Sequence, residues 1–228
     1  MKQTILKFSL IFTLLISLTS CFELIEDTKL NDDGSGTYKI TLNLSASQTR
    51  LNSVMALDSI DGKKIPSEAE MQKEVTDFVK RLNEQNGIKK ATASLSTDEW
   101  ILKFSCDFES LQSLQSGLNS ASQKWQKEDS QPLTSLFEIQ FNQNAYSREL
   151  KKSLPEKWKE KALEDEDYSK LKEGKCVFIQ RFENPVTETS NKKIQIAKNQ
   201  TACMLMLTPY EIINQPSLLN YSIEIDNE

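Results

Sequence analysis

The chain has 228 residues, a mass of 26.0 kDa, 38% hydrophobic and 27% charged residues, a mean hydropathy of −0.50 and a net charge of −5. Collagen-like, mucin-like and disordered classes are excluded, and the length suits one large domain or two small ones with a sizeable core. Histidine is absent, which removes every His-dependent acid/base relay, Ser-His or Cys-His nucleophile and His-ligated metal.

Lys2 and Lys7, an apolar run from Phe8 to Leu18 and the ending Leu18-Thr19-Ser20-Cys21 read as a secretory signal peptide over residues 1–20. The apolar run rises about 16 Å as a helix, half a bilayer core, so a cleaved signal is favoured over a permanent span. The ending resembles the bacterial lipobox, which implies that Cys21 carries acyl chains and anchors the protein to a membrane. Phe22, in place of an Asp, leans the sorting expectation toward the outer membrane over the inner one. Removing residues 1–20 leaves 26 basic against 33 acidic side chains, and only four of all 28 basic residues are Arg. No nucleic-acid partner is expected of such an acidic chain.

Along the mature chain, Phe22 to Leu30 reads as a strand directly after the lipidated residue. Asn31 to Gly36 supplies a turn, and Tyr38, Ile40, Leu42 and Leu44 alternate with polar residues to close a hairpin. Ser45 or Ser47 is placed to cap a short helix carrying Leu51, Val54 and Met55. Ser67 and Glu70 form a capping box for a longer helix with Met71, Val75, Phe78 and Leu82, ended by Asn86-Gly87. Ile88–Ser96 and Trp100–Phe108 predict a second hairpin, with Phe104, Cys106 and Phe108 on one face. A third helix then follows, striped by Leu111, Leu114, Leu118, Ala121 and Trp125. A possible subdomain boundary falls near 127–132. Beyond it the expected elements are a strand at Phe137–Phe141, a charged helical region at 147–173, and a strand at Cys176–Phe182. A hairpin over Ile194–Leu207, one helical turn at Tyr210–Ile213 and a last strand at Tyr221–Ile225 complete the chain. The fold class expected is α+β, a mainly antiparallel sheet of hairpins with helices packed on it, in a single domain over 21–228.

The lipobox Cys21, the short strand, Asp33-Gly34-Ser35-Gly36 and the alternating strand ending in Leu44-Ser45 resemble the opening of bacterial lipoproteins that include LppM-like domains. The resemblance spans about 25 residues. It implies an envelope lipoprotein and, from some relatives, contact with lipid. It brings no catalytic residues.

Three thiols remain besides Cys21. Cys176 and Cys203 are the pair expected to bridge if a disulfide forms, a link of about 3 kcal/mol in the chain-entropy model, with Cys106 a buried free thiol. No metal site or cofactor is indicated: there is no His, no Cys-x-x-Cys and no glycine-rich phosphate loop. Glu164–Asp167 reads as part of a solvated charged helix, Asp32-Asp33-Gly34 as a turn and not a calcium loop, and the Ser-x-x-Lys spacings at Ser169 and Ser190 as chance. The functional expectation is a lipid-anchored envelope component that binds or supports something near the membrane, and not an enzyme. Its partner is a membrane-proximal protein or lipid. One rival is a hydrophobic-ligand module with a cavity lined by residues such as Phe104, Phe108, Leu114 and Phe137, and another is a carboxylate- or Ser/Lys-based enzyme.

Overall fold

The structure, a computed structural model, describes residues 22–60, 62–122, 136–154 and 171–226. Its first strand, β1 (Glu23–Leu30), begins two residues after Cys21 and pairs antiparallel with β2 (Gly36–Asn43). The turn between them is closed by Gly34 N–H donating to Asn31 O (2.9 Å) and Asn31 N–H to Ser35 O (2.8 Å), with Gly34 at φ +82°. The Asp33 carboxylate accepts from the Ser35 amide and hydroxyl, and these bonds hold its carboxyl below the ordinary value.

Helix α1 (Gln48–Met55) follows a 3-10 turn at Ser45–Ser47. Ser47 takes the N-cap position, but its side chain does not make the capping bond expected of it. After the two-residue strands β3 (Ser59–Ile60) and β4 (Lys63–Lys64) comes α2 (Glu68–Asn83), whose capping box forms as the sequence predicts. Ser67 Oγ accepts from Glu70 N, and Glu70 Oε2 accepts from Ser67 N at 2.7 Å. The Lys64 ammonium and these cap bonds bring the Glu70 carboxyl down to about 2.

Strands β5 (Ile88–Ser96) and β6 (Ile101–Phe108) form the second predicted hairpin, and α3 (Leu111–Ser122) the third helix. Phe104, Cys106 and Phe108 are buried together on one face, as their alternation requires. Next come β7 (Phe137–Asn142), β8 (Ala145–Leu150), β9 (Lys175–Arg181), β10 (Val186–Thr189), β11 (Gln195–Ile196) and β12 (Ala202–Leu207). The chain closes with α4 (Pro209–Asn214), a 3-10 turn (Pro216–Leu219) and β13 (Tyr221–Ile225).

These elements build an α+β fold from two main sheets. The larger runs β11-β12-β9-β1-β2-β6-β5, and the smaller β10-β13-β8-β7. One pairing among the described strands is parallel: β1 lies alongside β9, from Glu23 opposite Lys175 to Lys29 opposite Arg181. Parallel neighbours need a long crossover and leave no local turn signal, so adjacent-run reading could not reveal this one.

The inner face of the large sheet has two covers. Over β5 and β6 lie α2 and α3, with Phe78 edge-on to Phe104 at 5.6 Å. Over β1 and β9 lies the small sheet, where Tyr146 of β8 meets Phe182 at 6.2 Å. The Gln115 side chain of α3 donates to Phe137 O of β7 (3.1 Å) and ties the covers together. One buried cluster runs through all of them, from Leu82 and Leu118 to Leu205 and Ile223.

Two sequence expectations change here. The charged helical region at 147–173 is a strand at its start, because Ser147–Leu150 belong to β8 and pair with β7, and Ser147 and Arg148 pair with β13 as well. Its middle, including Glu164–Asp167 and Ser169, lies outside the described residues, as do Cys21, Trp125 and the boundary near 127–132. The Cys176–Cys203 bridge does not form. Cys203 lies opposite Gln180 and Cys176 opposite Leu207, an offset of four residues, or about 13 Å along the strands, whereas bridged Cα atoms sit about 4.4–6.8 Å apart.

Candidate ligand-binding cavity

The register of the large sheet writes its inner face in rows. Cys176, Leu24 and Leu42 form one row; Phe178, Glu26 and Ile40 the next; Gln180, Thr28 and Tyr38 the third. β8 faces these rows with Tyr146 and Arg148, because its alternation buries those two and leaves Glu149 in solvent. Between the two covers the side chains leave a cavity of about 470 Å³, within the roughly 300–1,000 Å³ of small-molecule sites.

Its walls are largely apolar. Leu111, Leu114 and Leu118 come from α3, Phe137 and Ile139 from β7, and Leu24, Ile40 and Phe178 from the large sheet. The half-buried Phe22, Leu24, Ile212 and Ile213 mark its mouth, and the buried Thr28, Tyr38, Tyr146 and Arg148 its floor. Phe22 is held at the mouth by its carbonyl, which accepts from Lys175 N at 2.9 Å. Gly174 leaves room there for Phe22 and Pro209, since a Cβ at 174 would stand 3.3 Å from the Phe22 ring and 3.1 Å from Pro209. The short helix α4 beside the mouth is fixed by a second capping box: Thr208 Oγ1 accepts from Glu211 N, and Glu211 Oε2 from Thr208 N. Lys193 bonds the other oxygen of Glu211 at 2.8 Å and, with the cap, lowers its carboxyl.

The floor carries a buried ion pair. Arg148 Nη1 donates to Glu26 Oε1 at 2.9 Å, with the arginine side chain 6% and the glutamate 17% exposed. The guanidinium also lies 4.2 Å from the Phe137 ring centroid and 4.8 Å from that of Phe178, an arrangement in which aromatic faces stabilise a desolvated cation. Arg148 Nε has no hydrogen-bond partner among the described residues. Burial pushes the hydroxyls of Tyr38 and Tyr146 well above their ordinary values and Tyr221 up to about 12. These tyrosines therefore remain neutral and polar around the pair.

Of the four residues named for a cavity from sequence, Leu114 and Phe137 line it, while Phe104 and Phe108 are buried in the core beside it. Glu26, Arg148, Tyr38 and Tyr146 were missed as site residues. A signal existed for Glu26, which interrupts the inward stripe Leu24, Thr28, Leu30 with a charge. A second depression, about 560 Å³ beside α2 and lined by Lys64, Glu70, Lys73 and Glu74, is open to solvent. It lacks the enclosure that makes the first a candidate site.

Cys106, Cys176 and Cys203 are buried free thiols, and desolvation raises them to about 12, about 11 and about 11. Thiolate is the reactive form, so all three are expected to resist a thiol reagent in the native chain at pH 8 and to react after unfolding. Rapid native reaction, or fewer than three thiols among them after unfolding without reductant, would contradict this arrangement. In the Ser-x-x-Lys at 190–193, Ser190 Oγ accepts from Ser222 N, and Lys193 is bonded to Glu211 and not to Ser190.

No helix among the described residues is long and apolar enough to cross a membrane. The chain matches no protein-family model and no curated relative. It is similar in structure to the folded domain of Mycobacterium tuberculosis LppM, at 11% identity and a TM-score of 0.41, over 91% of each chain.

Proposed function

We propose that the protein is a lipid-anchored cell-envelope module that holds one apolar chain in the cavity between its two sheets. The observation that carries this reading is the cavity itself, a space of about 470 Å³ with mainly apolar walls. A space of this size with mainly apolar walls and a few polar groups is the usual form of a site for an apolar ligand.

The position of the mouth supports the same reading. Phe22 lines it, and the preceding residue is Cys21, the lipidation site of the lipobox. An anchor at Cys21 holds the opening next to the bilayer, with β1 beginning at Glu23 and no tether between. A chain then passes from the membrane into the protein without crossing water. A membrane-proximal binding role follows, with the outer membrane as the proposed location.

Two variants test anchor and cavity separately. Cys21→Ser is expected to release the protein from the membrane fraction or leave it unprocessed; normal processing and attachment would remove the anchor from the account. Leu118→Trp, with Ile139→Trp as a second choice from the opposite wall, fills the cavity. Native mass spectrometry of the detergent-stripped full chain is expected to show one non-covalent lipid adduct in the unaltered protein and none in the filled variants. Equal adducts in all three would place the lipid elsewhere and overturn the reading.

A further inference from the structure

The floor of the cavity points to the chemistry of its ligand. An apolar chain needs only apolar walls, yet this cavity ends on an ion pair, and Arg148 Nε has no hydrogen-bond partner among the described residues. A buried donor without an acceptor is costly. It marks the place where an acceptor belongs.

Charge decides which acceptor fits. Arg148 carries one positive charge and Glu26 one negative, so the pair is neutral as a unit. The other titratable groups around it, Tyr38, Tyr146, Tyr221, Cys106 and Cys176, are all raised by burial and stay uncharged near neutral pH. Adding a carboxylate would leave this floor with a net negative charge in a desolvated place, facing Glu26 at short range. A hydroxyl or ester carbonyl accepts the Arg148 Nε proton without adding charge. The Phe137 and Phe178 rings, 4.2 and 4.8 Å from the guanidinium carbon, help to hold the group at the floor.

We propose that the cavity selects single-chain amphiphiles whose buried end is a neutral hydrogen-bond acceptor, a hydroxyl or an ester carbonyl, and rejects the ionised carboxylate of a fatty acid. This rests on the apolar-chain reading of the same cavity and narrows it to a ligand class. Arg148 and Glu26 act here as specificity-determining residues.

The test uses the full-length protein in phospholipid nanodiscs, with a long-chain fatty alcohol and the matching fatty acid, each bearing a photoactivatable diazirine. Label on cavity peptides is read relative to label on the nanodisc scaffold, which corrects for partitioning into the bilayer. At pH 9 the alcohol is expected to label the cavity at least about tenfold more than the acid, as one uncompensated charge in a dry site demands. Between pH 6 and pH 9 the acid's relative label falls and the alcohol's holds. Glu26→Gln keeps the shape but leaves Arg148 as an uncompensated cation, and it is expected to reverse the preference toward the acid. Equal labelling, or preference for the acid in the unaltered protein at pH 9, would overturn the ligand class while leaving the apolar-chain reading in place. Absence of cavity label from both probes would overturn both.

Discussion

Gly36→Ala is expected to destabilise the protein by about 3 kcal/mol or more, at the top of the range for overpacking a close-packed site. A Cβ at this position would fall within 2.6 Å of Phe108 Cζ and into the carbonyl oxygen of Lys29. A ring can shift, but a ladder carbonyl cannot. Gly36 is opposite both Leu30 of β1 and Phe108 of β6, so relief would have to move three central strands. Gly34, two residues away, is the control: its φ is +82°, but a Cβ there meets nothing within 4 Å. Gly34→Asn, a residue that tolerates left-handed backbone, is expected to cost under about 1 kcal/mol. Thermal unfolding of the two variants separates the roles. Similar small shifts would mean that the close approach at Gly36 is not a constraint.

Glu26→Ala is expected to cost about 3–5 kcal/mol, because it leaves the Arg148 guanidinium buried and uncompensated. The larger part of that cost belongs to the orphaned charge and not to the lost contact, and a double variant shows it. Glu26→Ala combined with Arg148→Met removes both charges, and Met fills the space between Phe137 and Phe178 with an adaptable apolar chain. Stability in the double variant is expected to return most of the way, with a coupling well above 1 kcal/mol in urea unfolding. Additive losses would show that the two residues do not act as a pair. Recovery of stability without recovery of the alcohol preference would confirm that the pair serves selection more than folding.

The local devices of this fold were legible because each is written in neighbouring residues. Ser67 and Glu70 three apart gave the capping box, and Phe104, Cys106 and Phe108 two apart gave a buried strand face. The turn before Gly36 could be placed from Asn31 to Gly34 alone, and the strand at Glu23 from its alternation. What could not be read depends on partners far away in the chain. β8 carries Arg148, Glu149, Lys151 and Lys152 at or just beyond its end, a density that suggests a solvated helix. Only pairing with β13 and β7 makes it a strand and turns Arg148 inward.

The site shows the same division. Glu26 and Arg148 are 122 residues apart, on strands of different sheets, and neither has a local motif. Cys176 and Cys203 lie on the two neighbouring strands expected for them, but the register between those strands sets them four residues out of step. Strand identity was readable and register was not, because register is fixed by the packed face and not by the spacing of the cysteines.

The central claim is that the space between the two sheets is a site for an apolar chain that enters beside Phe22. Residue-level mapping of a photoactivatable fatty alcohol on the full-length anchored protein tests it most directly. Label on Leu114, Leu118, Phe137 and Phe178, lost in Leu118→Trp, is the result the structure predicts. Label confined to the exposed apolar side chains Leu57, Ile60, Ile196 and Met206, unchanged by Leu118→Trp, would contradict it.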